Sequence, residues 1–317
     1  PTELATYLAG YKNYQYRADD ASQIILVDNP SDKYRTFNSD DAFRATPVKG
    51  STSGDIPEVD PSSSLANYSC VERFIGSFIP AQTENQTGNA YDPVMKATRN
   101  CMNKILLDRE IDVFSSTGLL GTSGNWNASV VQTLIAGQNW NGGASADPIK
   151  DLQTLVENSI QPVHGFWMNQ KVANAFLRND TVRDHMRQFY GDSQPNAAIS
   201  MVNSANGQNV DFQIVGLPPI HVSAAKLKNE STGAKEYILG NYVIGVTQPM
   251  SVPVDGEEVA TTYTFRWRGT SGTGFEVRQY QLDNRGPLGG TMVVVYMSDI
   301  AKMTANETGG YITGVIA

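Results

Sequence analysis

Apolar positions give the first reading, because strands repeat with a period of two and helices with one of about 3.6. Gln23-Ile-Ile-Leu-Val27 is a short apolar run of the buried-strand kind. Lys33 to Phe37 reads as a strand, and Asn67 to Ile79 alternates enough to be another. Between them, Pro47 to Ser64 is rich in Gly, Pro, Ser and Asp. So long a stretch with so little apolar content is unusual inside a compact domain. A helix follows. Asp92 is a good N-cap and Pro93 suits the first helical position. Val94, Ala97, Cys101 and Ile105, then Leu107, Ile111 and Phe114, keep near-helical spacing, and Gly118 is a natural stop. The predicted helix, 92–117, would be about 39 Å long. Asp147-Pro148 opens a second helix carrying Ile149, Leu152, Leu155, Val156 and Ile160 on one face. Asn169 caps a third, with Val172, Phe176 and Leu177. Asp180 caps a fourth, with Val182, Met186 and Phe189, stopping at Gly191. From Val210 the pattern is β: Phe212–Val215, Ile220–Val222, Tyr237–Val246, Thr262–Trp267, Phe275–Leu282 and Thr291–Met297. Residues 1–22 are polar, with Tyr7, Tyr11, Tyr14 and Tyr16 along them, and read as an arm that needs another surface to hold it. The order predicts an α+β fold with one sheet-rich end.

Composition narrows the class. With 317 residues the chain can bury a core without staples. Its net charge of −8, with no basic run, makes it a poor candidate for a dedicated nucleic-acid binder. Cys70 and Cys101 fall in no CxxC pattern and are expected as reduced thiols. No apolar run approaches the roughly 18 residues of a membrane span, and the opening Pro1-Thr-Glu-Leu-Ala does not read as a signal peptide. Asn-X-Ser/Thr triplets at Asn67, Asn85, Asn127, Asn179, Asn229 and Asn306 carry little weight in so Asn-rich a chain.

Motifs for catalytic chemistry do not emerge. There is no P-loop and no G-x-S-x-G elbow. Gly269-Thr-Ser-Gly-Thr-Gly274 lies between two strand-like runs, where a hairpin loop is expected rather than a dinucleotide loop. His164, His185 and His221 lack metal-ligand spacing. Asp19-Asp20, Asp40-Asp41 and Glu257-Glu258 are adjacent pairs and read as solvated surface. Trp167 and Trp267 sit in apolar segments and read as core. No catalytic, cofactor or metal residue is predicted, so the expectation is a protein that is not an enzyme.

The ordered set of segments resembles a known family, the tailed-phage major capsid proteins of the Hong-Kong-97 type. The arm comes first. Ser31-Asp-Lys-Tyr-Arg-Thr-Phe37 leads into the Gly/Pro-rich stretch, which holds Ile56-Pro-Glu-Val-Asp60. Tyr68-Ser-Cys-Val-Glu-Arg73 returns, and the long helix closes on Leu107-Asp-Arg-Glu110. Asn125-Trp126 and Ala146-Asp-Pro148 follow. Near the end come Phe265-Arg-Trp-Arg268, Gly274-Phe-Glu-Val-Arg-Gln-Tyr280 and Gly289-Gly-Thr-Met-Val-Val-Val295. Each motif alone is weak, and their order carries the likeness.

The resemblance implies an N-terminal arm (1–22) and an extended loop (30–64) that laps over a neighbouring subunit. It implies a peripheral domain (23–29, 65–120 and 247–284) with the spine helix 92–117, and an axial domain (121–246 and 285–317). It further implies self-assembly into pentamers and hexamers, forming an icosahedral shell built in the host cytoplasm and found in the virion. Partners would be the chain itself, possible portal, scaffold and decoration or cement proteins, and enclosed DNA touched non-specifically, with no membrane. Some relatives crosslink a loop lysine to a neighbour's asparagine. Lys49 and Asn284 are the residues placed for that here. The reaction needs a neutral amine in an apolar pocket, and Thr46, Pro47, Gly50, Ser51, Thr52 and Ser53 supply little such cover, so no crosslink is expected. The rival readings are an encapsulin-like cargo shell and, from other classes, a secreted carbohydrate-binding or adhesive β protein, or a hydrolase.

Overall fold

The computed structural model describes residues 11, 13, 15–37, 64–86, 92–142, 145–190, 200–202, 211–230, 233–249, 258–270, 272–285 and 288–316. The first half of the chain contributes α1 (Ala18–Ala21), β1 (Gln23–Val27), β2 (Ser31–Thr36), β3 (Ser64–Ser69), β4 (Val71–Pro80), α2 (Ala81–Gln86) and α3 (Pro93–Phe114). Then come β5 (Val131–Thr133), α4 (Pro148–Asn158), β6 (Gly165–Asn169), α5 (Gln170–Arg178) and α6 (Asp180–Tyr190). Strands dominate the rest: β7 (Ser200–Val202), β8 (Asp211–Gln213), β9 (Ile220–Ser223), β10 (Lys226–Lys228), β11 (Lys235–Tyr237) and β12 (Val243–Val246). The last are β13 (Thr262–Trp267), β14 (Phe275–Leu282), β15 (Gly290–Met303) and β16 (Gly310–Thr313).

Two sheets carry the fold. In the first, β15 is the long central strand, paired antiparallel with β4, β13 and β14, while β1 adds to β13 in parallel. The second has the order β5-β16-β12-β6-β9-β8-β7. Two further pairs stand apart, β2–β3 and β10–β11. The ribbon β2–β3 leans on β13, where Tyr68 stacks on Phe265 at 4.5 Å.

α3 joins the two sheets. Asp92 caps it as expected, accepting from Val94 N at 2.8 Å and from Met95 N at 3.3 Å. Ala97, Cys101, Met102, Ile105 and Leu106 pack on Val277, Val293, Val295 and Met297 of the first sheet. Val113 and Phe114 instead enter a core with Trp167 and Ile244 of the second sheet and with Leu239. The opposite face of that sheet is covered by Leu152, Leu155, Val172, Phe176, Val182 and Met186 from α4, α5 and α6.

Several expectations are corrected. α3 stops at Phe114, three residues early, because Ser115 is extended and the chain folds back, with Leu119 N and Leu120 N donating to Asp112 O and Val113 O. Leu107 and Ile111 are only half-buried, while Arg109 and Glu110 are buried. The fourth helix is capped by Asn179, which accepts from Thr181 N at 3.0 Å, and Asp180 is its first residue. Tyr237–Val246 is not one strand. Asn169 Nδ2 donates to the carbonyls of Leu239 and Gly240, taking acceptors a strand ladder would use. The Gly269–Gly274 loop joins β13 to β14, but both pair with β15 and not with each other, so it is no hairpin. The expected grouping of 285–317 with 121–246 is divided by the pairing. Residues 290–303 belong to the first sheet and 310–313 to the second. Of the expected arm, Tyr11, Asn13 and residues 15–22 dock on their own chain, and 1–10, 12 and 14 lie outside the described residues. Of the 30–64 loop, residues 30–37 and 64 are described, 31–36 pairing with 64–69, and 38–63 lie outside the described residues.

Candidate functional site: a buried ion network between the two sheets

Arg109 and Glu110 are neighbours near the C-terminal end of α3, and successive helical positions point about 100° apart. That divergence sends one toward each sheet. Arg109 Nε meets Asp299 Oδ2 of β15 at 2.5 Å, and Arg109 Nη1 pairs with Asp19. Arg73 of β4 reaches Asp299 Oδ1 at 2.5 Å, Asp108 at 2.9 Å, and Asp112. Arg266 of β13 lies 3.5 Å from Asp299 Oδ2 and stacks over Phe275 at 4.6 Å. Three arginines from three elements thus converge on one aspartate whose side chain is 1 % exposed.

Burial alone would lower both Arg109 and Arg266. At Arg109 the close Asp299 and Asp19 carboxylates outweigh it and hold the guanidinium above the ordinary arginine value. Arg266 sits further from the same carboxylates and beside Arg109, so burial prevails and its affinity for the proton falls.

Glu110 faces the other way and is fully buried. Its Oε2 accepts the backbone N–H groups of Arg17 and Ala18, each at 2.8 Å, and its Oε1 meets Ser223 Oγ of β9 at 3.3 Å. Burial pushes the carboxyl up to about 7, against the lowering effect of those hydrogen bonds. Arg17 Nη2 continues to Asp211 of β8 at 2.8 Å, and Asp211 lies 3.3 Å from His221 Nδ1. The network therefore ties α1, α3, the first sheet and the second sheet at one point. Ion pairs hold its groups, although Arg109 Nη2 and Arg266 Nε are buried without a hydrogen-bond partner, and what the arrangement does is fix the two sheets relative to the helix between them.

No protein-family model and no curated protein matches the chain by sequence. Solved structures do match by shape. A phage-related protein from Bordetella bronchiseptica RB50 superposes with a TM-score of 0.70 at 13% identity, over 99% of this chain and 97% of that one. The capsid structure of the cyanophage P-SCSP1u gives 0.52 at 13% identity, over 92% and 86%. This chain has the phage-capsid fold. The holo-SrpI encapsulin complex from Synechococcus elongatus PCC 7942 shares it, at 0.57 and 14% identity, over 92% and 85%.

Within this capsid fold the weak sequence motifs acquire a common meaning. Arg73, Arg109 and Arg266 come from three separate motifs, and all three meet at Asp299. The Gly-Gly motif is explained too. Gly289 has φ +68°, and a Cβ at Gly290 would run into the Ile79 carbonyl of β4. Asp299, Arg17 and Asp211 escape sequence reasoning, since isolated charges in strand or arm segments carry no pattern.

The residues with candidate chemistry do not gather. His164 accepts from Gln248 N, His221 stacks on Trp167 at 4.6 Å, and His185 lies on α6. Among the described residues no three His, Cys, Asp or Glu side chains form a metal cluster. Asp19 and Asp20 are not idle surface, because they pair with the buried Arg109 and Arg17. Asp40, Asp41 and Glu257 lie outside the described residues, and Glu258 is exposed. Trp126, Trp140 and Trp167 are buried, whereas Trp267 is only half-buried and donates to Asp28 O. Cys101 is buried, Cys70 is half-buried, and neither is in a disulfide. Lys49 lies outside the described residues, and Asn284 is exposed. No helix among the described residues is long and apolar enough to cross a membrane.

Proposed function

We propose that this chain is the major capsid protein of a tailed bacteriophage. Identical copies assemble into pentamers and hexamers and close an icosahedral shell around the phage genome. The observation that carries this is the end-to-end match to phage structures, over 99% of the chain in one case and 92% in a phage capsid. The protein acts by assembly and not by catalysis. In this reading α3 is the spine of a peripheral domain built on the first sheet, and the second sheet belongs to an axial domain packed around capsomer centres. The β2–β3 ribbon is the root of the 30–64 loop, which laps over a neighbour. The 30–64 stretch carries few apolar side chains, so in this reading the entropy of ordering it is recovered only under a partner. Portal, scaffold and decoration proteins are the further partners this role implies. The shell is assembled in the host cytoplasm and persists in the virion.

The encapsulin match supports a second reading, a shell around a protein cargo. Contents decide between them. Purified particles are treated with nuclease, opened, and their nucleic acid and protein measured. Protected DNA supports the capsid reading. A stoichiometric second protein without nucleic acid supports the cargo shell.

A further inference from the structure

The β10–β11 hairpin stands off the body of the protein. Among the described residues it pairs with no other strand, and five of its six strand residues are exposed, Tyr237 being half-buried. It is anchored at its base, where Ala225 and Ile238 are buried and Ile238 N donates to Ala225 O at 3.1 Å. The register sets Lys226 opposite Tyr237, Leu227 opposite Glu236 and Lys228 opposite Lys235. Side chains alternate across a strand and directly opposed residues share a face. Lys226, Lys228, Lys235 and Tyr237 therefore share one face, and Leu227 and Glu236 the other. Glu236 is engaged by Asn229 Nδ2 at 3.2 Å. Lys226 Nζ rests 4.5 Å from the centre of the Tyr237 ring, which takes no charge away.

This face is costly to fold. Like charges directly opposite one another destabilise a strand pair, and an isolated two-stranded hairpin is marginal to begin with. The chain has 32 acidic residues against 24 Lys and Arg, yet none is placed opposite Lys228. A local rule broken on an exposed element marks a surface that serves a partner. Three lysines on one face call for a polyanion. Planar carboxylates are matched best by the fork of an arginine, and this face has none. Lysines are point charges, and two residues along a strand span about 6.6 Å, so the row suits the repeated charges of a phosphate backbone.

We propose that the lysine face of the β10–β11 hairpin contacts the backbone phosphates of the enclosed nucleic acid, without reading its sequence. The inference rests on the capsid reading and names the surface through which the shell meets its contents. The net charge of −8 keeps that contact weak for each subunit and additive over many.

The test uses unassembled subunits of the purified protein, because a closed shell would hide the face from added DNA, and a fluorescent duplex of random sequence, titrated between about 50 and 200 mM salt. Binding of the wild type should weaken with salt. The variant K226Q/K228Q/K235Q should bind at least tenfold more weakly at low salt. Its log–log salt slope should be shallower by about 2.7, or about 0.9 for each phosphate that is no longer neutralised. A wild type that binds no DNA at low salt, or a triple variant that binds as the wild type does, overturns the proposal. So does a variant that keeps DNA binding but loses assembly, since that outcome assigns the lysines to an acidic protein surface. Single K228Q and K235Q variants, each expected to give part of the loss, show that the effect is not one of misfolding. Shells are counted by microscopy after assembly of the same preparations. Wild-type shells without hairpin-dependent DNA binding sink this inference alone, whereas absence of shells sinks the capsid reading.

Discussion

Replacing Glu110 with Gln tests the second half of the ion network with almost no change of shape. The Gln carbonyl can still accept from Arg17 N and Ala18 N, and its amide can donate to Ser223 Oγ, so the geometry survives. What changes is titration. Folding raises the Glu110 carboxyl from 4.5 to about 7, chiefly by burial. A group raised on folding contributes stability that is fully present below its unfolded value and is lost as pH rises through the folded value. A shift of about 2.5 units at about 1.4 kcal/mol each is roughly 3 kcal/mol, all of it at stake between about pH 4.5 and pH 7. Between about pH 5.5 and pH 8 the wild type should lose about 2 kcal/mol from this group, and Glu110→Gln should lose none of it. Urea unfolding of unassembled subunits, followed by the fluorescence of the buried Trp126, Trp140 and Trp167, measures both proteins at both pH values. Subtracting variant from wild type cancels the other titrating groups, so the variant should gain about 2 kcal/mol on the wild type at the higher pH. A difference that stays constant with pH would refute the reasoning, because Glu110 would then be ionised in the folded protein throughout.

Asp299→Ala leaves three arginines without their shared carboxylate, two of them buried, and should cost about 3–5 kcal/mol in the same unfolding assay. A cost under about 1 kcal/mol would mean the arginines are satisfied elsewhere. Ile105→Asp puts a charge into the α3 core at a position 3 % exposed, and soluble subunit should be lost. Normal yields of shells from that variant would place the wrong face of α3 against the sheet. Boiled particles should run as one monomer band on a denaturing gel. A ladder that disappears in Lys49→Ala would establish the crosslink.

The periodic parts of the chain are legible in its sequence and the convergent parts are not. β1, β13 and β14 match their expected spans because short apolar runs flanked by turn residues are local signals. The caps Asp92, Asp147 and Asn169 are readable for the same reason, since each side chain bonds within its own first turn. β6 escapes the pattern, although all five of its residues are buried. Its strand character comes from pairing with β9 and β12, which are distant in sequence. The site is half visible. Arg73, Arg109 and Arg266 sit in recognisable motifs, but Asp299, which gathers them, lies in the polar tail of β15, beyond the apolar run that ends at Met297. Docking of residues 15–22 depends on backbone N–H groups of Arg17 and Ala18, and a donor that nearly every residue carries leaves no mark in a sequence.

Self-assembly is the central claim, and negative-stain electron microscopy of the purified full-length protein addresses it most directly. Closed shells of uniform diameter, or five- and six-membered rings of subunits, are the predicted result. A protein that remains dispersed single subunits at every concentration, salt and pH tried would contradict the capsid reading, whatever its fold resembles.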